Sequence, residues 1–131
     1  MWNNESIRVL FVRDDDQLDQ VFNEIIDNPK FSITTVSAME ALGEIIKQQP
    51  DVVLLNLRLK NRNGFQILRD VKSNLMTLHI PVIVLTKMNT QPYWDEAYKS
   101  GASAYAVLGL HDQYLSQLIE KQLSHKMELV C

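Results

Sequence analysis

The sequence predicts an α/β fold in which a doubly wound parallel sheet of five strands is covered by five helices on its two faces. Two observations favour this fold. Short apolar runs alternate with amphipathic stretches five times along the 131 residues, and the runs at the middle of the chain are continuously apolar, as is typical of strands buried on both sides. Right-handed crossovers between such strands favour the order 2-1-3-4-5. One domain over residues 1–131 accounts for the length.

Composition and charge exclude several classes of function. Hydrophobic residues make up 46% of the chain and the net charge is −3, whereas a nucleic-acid-binding surface is usually basic. No apolar run approaches the roughly 20 residues that span a bilayer, and the first residues carry no signal-peptide pattern. The single cysteine, Cys131, permits no internal disulfide, and a catalytic role is not expected because a chain end rarely supplies the activating pocket that a nucleophilic cysteine needs. We therefore expect a cytoplasmic protein that contacts neither nucleic acid nor membrane.

The apolar runs and the turn residues between them place the strands and helices. The five strands are predicted at about residues 7–13, 31–36, 52–57, 81–86 and 104–108. The first helix has its apolar residues at Leu18, Val21, Phe22, Ile25 and Ile26. Ser37 and Glu40 form a capping-box pattern at the start of the second helix. Gly64 opens the third helix, Pro92 lies in the first turn of the fourth, and Gly101 ends it as a left-handed C-cap.

Polar residues follow several of the predicted strands. In a doubly wound sheet, functional sites lie at the carboxyl ends of the strands, where the strand order reverses. The residues found there are Arg13, Asp14, Asp15 and Asp16 after the first strand, Asn56 and Arg58 after the third, Thr86 and Lys87 after the fourth, and Leu108 and Gly109 after the fifth. These residues form the candidate site.

At these strand ends the sequence resembles the response-regulator receiver family, whose fold is called CheY-like or flavodoxin-like. The resemblance covers nearly the whole chain. The segment PDVVLLNL at 50–57 with Gly64-Phe65 is similar to the third strand and its loop, IPVIVLT at 80–86 to the fourth strand, and GASAY at 101–105 to the start of the fifth. These motifs occur in the family's order and at its spacing.

The resemblance implies a phosphorylation site from which most functional groups are missing here. In the family, an aspartate after strand three takes the phosphoryl group, two acids after strand one help hold magnesium, a Ser or Thr follows strand four, and a lysine follows strand five. These positions hold Asn56, Arg13 beside Asp14, Thr86 and Leu108. An amide is a poor nucleophile, and leucine donates no side-chain hydrogen bond. Only Thr86 and Asp14 retain the family's chemistry.

The charges that replace the family's acidic pocket have mixed signs. Asp14 and Asp15 are expected to face Arg13, Arg58 and Lys87. Magnesium needs hard oxygen ligands, usually carboxylates, so we expect weak or absent magnesium binding, no metal site and no cofactor. Side-chain cations then take over the charge role of magnesium, for example through a salt bridge from Lys87 to Asp14.

Several of these residues also have simpler interpretations. Asp15 or Asp16 can cap the first helix instead of binding metal. Asn56 can mimic one phosphorylation state, which fixes the domain in that state, or can be a polar residue that only fills the end of its strand. Tyr105 aligns with an aromatic residue that moves with Thr86 in the family, but it can equally be an ordinary half-buried strand residue.

The fourth helix carries a cluster of aromatic residues. Tyr93 and Trp94 point about 100° apart around the helix axis, which predicts that one of them faces solvent. Together with Tyr98 and Tyr105, Trp94 marks an interaction face, since the family often binds partners through its fourth helix, fifth strand and fifth helix. The expected partner is a signalling protein or a second copy of the chain.

The sequence thus predicts a receiver-like signalling domain without its phosphoacceptor aspartate. It is not expected to be an enzyme, and it is expected to act by phosphorylation-independent protein–protein interaction. Two alternatives stay open. One is a small-ligand-binding domain of flavodoxin-like fold, although no loop is glycine-rich enough to cradle a phosphate. The other is an atypical receiver phosphorylated on Asp14 or Asp15.

Overall fold

A computed structural model describes residues 6–13, 25, 27–59, 62–110 and 112–130. Its five strands form one parallel sheet in the order β2-β1-β3-β4-β5, which confirms the predicted doubly wound topology. The strands are β1 (Ile7–Val12), β2 (Phe31–Val36), β3 (Val52–Asn56), β4 (Val82–Thr86) and β5 (Ala104–Val107). Each lies within one residue of its predicted bounds.

The described part of the chain contains four α-helices, which are the second to fifth of the predicted helices. They are α1 (Ala41–Gln48), α2 (Gly64–Ser73), α3 (Gln91–Lys99) and α4 (Leu115–Val130). The predicted first helix falls mostly outside the described residues, although Ile25 is helical and fully buried. None of the described helices is both long enough and apolar enough to cross a bilayer.

Side chains that alternate along the strands divide the core into two layers. All residues of β3 and β4 are buried, because helices pack on both faces of the sheet. The layer on the α1–α3 side, which we call the front core, includes Leu10, Leu55, Leu68, Val84 and Tyr105. The layer on the α4 side, the back core, includes Phe11, Leu54, Leu85, Leu115 and Ile119. The residues just after the strands also pack on one layer or the other: Leu57 belongs to the front core, and Leu108 packs against the back core.

Helix α1 begins later than the capping-box pattern predicts. Glu40 Oε1 accepts hydrogen bonds from the Ser37 N–H (3.4 Å) and from the Ser37 hydroxyl (3.2 Å). The hydroxyl therefore donates to the carboxylate and does not cap the helix, so residues 38–40 form turns and the helix starts at Ala41. The predicted contact between Ser37 and Glu40 exists, but the predicted helix start is wrong by three residues.

The other predicted helix ends are confirmed. Asn63 caps α2 by accepting the Phe65 N–H at 2.9 Å, and Gly64 is the first residue of that helix. Pro92 lies in the first turn of α3, where a missing N–H costs little. Gly101 follows α3 with a φ of +109°, a conformation that glycine adopts without the strain of a side chain.

Candidate functional site

The predicted site residues meet at one edge of the sheet. Because the strands are parallel, the carboxyl ends of β1, β3, β4 and β5 lie side by side. Backbone hydrogen bonds continue past the strands, from Leu57 N–H to Leu85 O (3.1 Å) and from Leu108 N–H to Thr86 O (2.8 Å). The structure thereby brings the strand ends at Arg13, Asn56, Thr86 and Leu108 to this edge. Asp14 and Asp15 lie outside the described residues.

Asn56, at the acceptor position, has its amide engaged in the local backbone. Its side chain is buried, with 3% of the residue exposed. Its Oδ1 accepts the Arg58 N–H at 3.0 Å, which closes an Asx-type turn over the end of β3. This contact gives Asn56 a structural role in shaping the loop after β3.

Arg13 places a buried cation at the end of β1. Only 6% of the residue is exposed, and the guanidinium carbon lies 5.5 Å from the centroid of the Phe11 ring, a distance at which a cation is attracted to an aromatic face. Its backbone N–H donates to Val36 O at 3.0 Å, which ties it to the end of β2. The position where the family carries an acid therefore holds a positive charge.

The remaining predicted site residues differ in their exposure. Lys87 and Arg58 are exposed. Because Asp14 is not described, the salt bridge from Lys87 to Asp14 stays a prediction. Leu108 is half-buried and packs on the back core, and Gly109 follows it with a φ of +86°. An apolar contact thus replaces a lysine ammonium at the end of β5.

The described strand-end groups do not fit magnesium. The ion prefers carboxylate oxygens, whereas these residues offer a guanidinium from Arg13, a carboxamide whose oxygen accepts the Arg58 N–H, and the hydroxyl of Thr86. Over the described ranges, no group of three His, Cys, Asp or Glu side chains could hold a metal ion. These residues supply no ligand set for the family's metal.

A cavity of about 440 Å³ opens between the loop after β3 and the start of α3. It is lined by Leu57, Arg58, Asn63, Phe65, Thr86, Met88 and Tyr93. Sequence reasoning assigned only Arg58 and Thr86 to a site here. Phe65, which follows Gly64, is the one local feature of the sequence that points to the other lining residues, because it lies beside the loop after β3.

Met88 connects this cavity to the face formed by α3, β5 and α4. Thr86 Oγ1 accepts the Met88 N–H at 3.2 Å, and the Met88 carbonyl accepts the Tyr105 hydroxyl at 2.7 Å. Tyr105 is 8% exposed and lies on the same side of the sheet as Thr86, because alternation along β4 and β5 places both towards the front core. Tyr105 is more buried than the half-buried residue of the simpler interpretation.

The prediction that Tyr93 or Trp94 faces solvent is wrong, since both are half-buried and pack against the front core. Tyr93 lies against Phe65, with ring centroids 6.0 Å apart, and Trp94 lies against Tyr105 at 5.4 Å. Both side chains are covered because α3 packs between the start of α2, which carries Phe65, and strand β5, which carries Tyr105. Tyr98 is the exposed aromatic residue of this helix, at 49%.

A second depression lies on the face formed by α3, β5 and α4. It has a volume of about 340 Å³ and is lined by Tyr105, Tyr114, Gln117, Leu118 and Lys121. Tyr114 is 51% exposed. We call this depression, together with Tyr98, the α3–β5–α4 face.

Sequence and structural comparisons identify the family. The model of the response regulator receiver domain family matches residues 9–120, and the chain therefore belongs to this family of two-component signalling. The transcriptional regulatory protein ZraR of Escherichia coli K12 is 26% identical over 123 residues, 93% of this chain and 27% of ZraR. The polar-differentiation response regulator DivK of Brucella ovis is 26% identical over 98 residues, 74% of this chain and 80% of DivK. The chain thus spans about a quarter of the length of ZraR.

Solved structures share the fold. The chemotaxis protein CheY4 of Vibrio cholerae superimposes with a TM-score of 0.78 at 19% identity, covering 89% of this chain and 98% of that chain. The response regulator domain of Thermotoga maritima CheB gives a TM-score of 0.70 at 26% identity, covering 89% and 93%. These likenesses confirm the CheY-like fold that the motifs implied.

Replacing Tyr105 with phenylalanine is expected to lower the free energy of unfolding by about 1 kcal/mol at pH 7, because the Met88 carbonyl loses its hydrogen bond. Burial raises the pKa of Tyr105 above its ordinary value, and the nearby Tyr93 and Tyr98 raise it further. A raised folded-state pKa gives stability that is complete below pH 10 and is lost as the pH rises through the folded pKa. Urea unfolding of both proteins at pH 7 and above pH 10 should therefore show a difference that shrinks with pH.

The matched control for this experiment is Tyr114→Phe. Tyr114 is exposed, and exposed substitutions usually change stability by less than about 0.5 kcal/mol. A Tyr105→Phe cost that is equally small at pH 7, or a difference that does not change with pH, would contradict the assigned hydrogen bond.

Proposed function

We propose that this receiver domain signals without phosphorylation and without enzymatic activity, as a protein-interaction domain. The observation that carries the proposal is the identity and environment of Asn56. A carboxamide stands where the family's acceptor aspartate would be, and its oxygen already accepts the Arg58 N–H. An amide is a poor nucleophile and its product would not be an acyl phosphate.

Two neighbouring residues support the same proposal. Arg13 brings a positive charge to the end of β1 with 6% exposure, so magnesium would meet like-charge repulsion there. Leu108 packs on the back core and offers no donor to a phosphoryl oxygen. These three changes lie at the ends of different strands. Asn56 removes the nucleophile, Arg13 disfavours the metal, and Leu108 removes the positive charge that would balance the phosphoryl group.

The α3–β5–α4 face supplies the proposed interaction surface. Tyr98 and Tyr114 are about half exposed, and aromatic residues are enriched at interfaces, especially at the positions that contribute most to binding. The depression beside them can accept an apolar side chain between Tyr105 and Leu118, with Lys121 at its edge. A signalling protein or a second copy of the chain would dock here.

The decisive experiment is a set of amide NMR spectra with and without magnesium and beryllofluoride, which mimics a phosphoryl group on a receiver aspartate. We expect no saturable shifts at Asn56, Thr86 or Tyr105, because the described residues offer neither the nucleophile nor the metal ligands. A receiver domain with an intact acceptor aspartate, recorded in the same buffer, is the positive control. Concerted shifts at these three residues would show a working phosphorylation pocket and end the proposal.

The same samples decide the alternative of phosphorylation on Asp14 or Asp15, which lie outside the described residues. Incubation with acetyl phosphate is expected to add no acid-stable or acid-labile phosphoryl group, as measured by the intact mass. A gain of one phosphoryl group that persists in an Asn56→Ala variant would instead favour the atypical receiver.

A further inference from the structure

The exposed apolar side chains fall into two clusters. Seven large hydrophobic residues are exposed in the part of the chain that the structure describes, and six of them belong to these clusters. The first cluster lies in the turn between α2 and β4 and consists of Leu75, Met76 and Leu78. We call it the apolar turn. The second lies on and beside the α3–β5–α4 face and consists of Tyr98, Leu110 and Tyr114. Single exposed hydrophobic residues need no explanation, whereas contiguous ones mark interaction sites.

Hydrogen bonds hold the apolar turn in one conformation. Asn74 O accepts the N–H groups of Thr77 (3.0 Å) and Leu78 (2.8 Å), and Asn74 Oδ1 accepts the Met76 N–H (2.8 Å). Thr77 is fully buried, and its hydroxyl donates to Val71 O at 2.7 Å. Because Thr77 anchors the turn to α2, the three apolar side chains around it remain directed away from the core.

Two side chains from the helices fix the carbonyls of the apolar turn. Gln49, at the end of α1, donates from Nε2 to Met76 O at 2.9 Å. Lys72, in the last turn of α2, donates from Nζ to Leu78 O at 3.2 Å. Leu75 stays 86% exposed on this supported backbone. A surface that is rigid before binding loses little conformational entropy when it docks.

The apolar turn and the depression on the α3–β5–α4 face lie at opposite ends of the sheet. The apolar turn precedes β4, at the amino ends of the strands, whereas Tyr114 follows β5, beyond their carboxyl ends. Strand β4 lies between these two ends, and its five residues span about 17 Å. The two surfaces share no residue. A contact between them therefore joins two copies of the chain.

The depression fits the apolar turn better than a second apolar turn would. It is concave, has a volume of about 340 Å³, and has apolar walls formed by Tyr105, Tyr114 and Leu118. Even aromatic side chains bury only about 150–250 Å² each, so two apolar turns in contact would fall short of the roughly 800 Å² per partner of a stable interface. Docking in the depression adds the exposed surfaces of Tyr98 and Tyr114 to the buried area.

Charge complementarity supports the same pairing. Lys121 is exposed at the depression, and among the described residues no carboxylate lines the depression or forms an ion pair with Lys121. The apolar turn has no charged side chain, so no charge has to be desolvated as it enters. It directly follows the C-terminal end of α2, where a helix carries a partial negative charge that favours a cation.

From the two exposed clusters, we propose that copies of this chain associate head to tail, with the apolar turn of one copy in the depression of the next. Leu75 would enter between Tyr105 and Leu118, and Lys121 would lie near the end of the other copy's α2. Such a contact leaves one surface of each kind uncovered, so the assembly continues to grow unless it closes into a ring. This inference rests on the proposed function for its use of the α3–β5–α4 face, and it names a second copy as the partner.

Sedimentation velocity of the full chain from about 10 µM to 1 mM tests the association. We expect the weight-average mass to rise with concentration from 15.1 kDa to beyond that of a dimer, over this range because each junction is small. A mass that stays at the monomer value up to 1 mM overturns the proposal. A mass that levels off at the dimer indicates a two-fold contact and overturns it as well.

Substitutions at exposed positions locate the junction. Leu75→Asp puts a carboxylate on the apolar turn, and Tyr114→Asp puts one at the depression; each is expected to weaken association at least about tenfold, because the junction would bury an unpaired charge. Met39→Asp is the matched control, since Met39 is 74% exposed and belongs to neither cluster. It should associate like the natural chain, and circular dichroism should show that all three variants fold.

A mixture of the two variants decides the arrangement. Leu75→Asp keeps an intact depression and Tyr114→Asp keeps an intact apolar turn, so their equimolar mixture is expected to form a heterodimer that grows no further, at a concentration where each variant alone is monomeric. A mixture that stays monomeric, or a variant that alone associates as strongly as the natural chain, overturns the proposal. A chain that associates in this way and also responds to beryllofluoride would keep the junction and end the proposed function.

Discussion

Replacing Gly64 with alanine is expected to lower the free energy of unfolding by about 3 kcal/mol, the upper part of the range for overpacked positions. A Cβ at this position would lie 2.6 Å from Leu57 Cα and 2.9 Å from both Leu57 O and Leu57 Cδ2. Two of these three atoms belong to the backbone, so rotating a side chain cannot relieve the contact. The first turn of α2 would have to move away from the end of β3.

The same substitution at Gly43 provides the control. Gly43 is exposed within α1, and a Cβ there would meet no other atom within 4 Å. Alanine has a helix propensity about 1 kcal/mol better than glycine, so Gly43→Ala is expected to raise the free energy of unfolding by about 0.5–1 kcal/mol. The two variants carry one added methyl group each and should change stability in opposite directions.

Urea unfolding followed by circular dichroism measures both effects. The Gly64→Ala change should also shift the amide resonances of Arg58 and Phe65, because the contact lies between the β3 end and the α2 start that carry them. A Gly64→Ala variant as stable as the natural protein would show that α2 is not packed against Leu57 as the structure has it.

The fold could be predicted from the sequence because each strand has a local signal. The apolar run of β3 and the β-branched residues of β2 gave the bounds of those strands within a residue. The ends of helices could be predicted where a single residue determines them. Gly101, which has a positive φ and follows α3, is an example. The start of α1 was missed because the Ser37 hydroxyl had two competing partners, and spacing alone does not show which it takes.

The site was predictable at the strand ends and not beyond them. Asn56 and Thr86 follow their strands directly, so the topology alone brings them to one edge. The cavity depends instead on where α3 packs. Tyr93 contacts Phe65, 28 positions earlier in the chain by their residue numbers, and helical spacing carries no information about a contact between different helices. The same long-range packing leaves both Tyr93 and Trp94 half-buried, whereas their 100° separation predicted that one of them would face solvent.

The family's phosphorylation chemistry is expected to return only when three positions are restored together. We expect a triple variant, Arg13→Asp with Asn56→Asp and Leu108→Lys, to be phosphorylated by acetyl phosphate with magnesium at least about 100-fold faster than Asn56→Asp alone. The single variant regains the nucleophile but keeps the buried cation at Arg13 and the apolar Leu108. Removing one preorganised charge-stabilising group typically slows a reaction about 10²–10³-fold, and two are missing there.

Intact-mass spectrometry measures the labelling, with circular dichroism to show that each variant folds despite the new carboxylate at a buried position. The matched control replaces Leu108→Lys by Leu75→Lys, which adds the same charge at a residue that is 86% exposed in the turn after α2. It should label no faster than the variant with Arg13→Asp and Asn56→Asp only. If Asn56→Asp alone labels as fast as the triple variant, the loss of function rests on one amide, and neither Arg13 nor Leu108 takes part in closing the site.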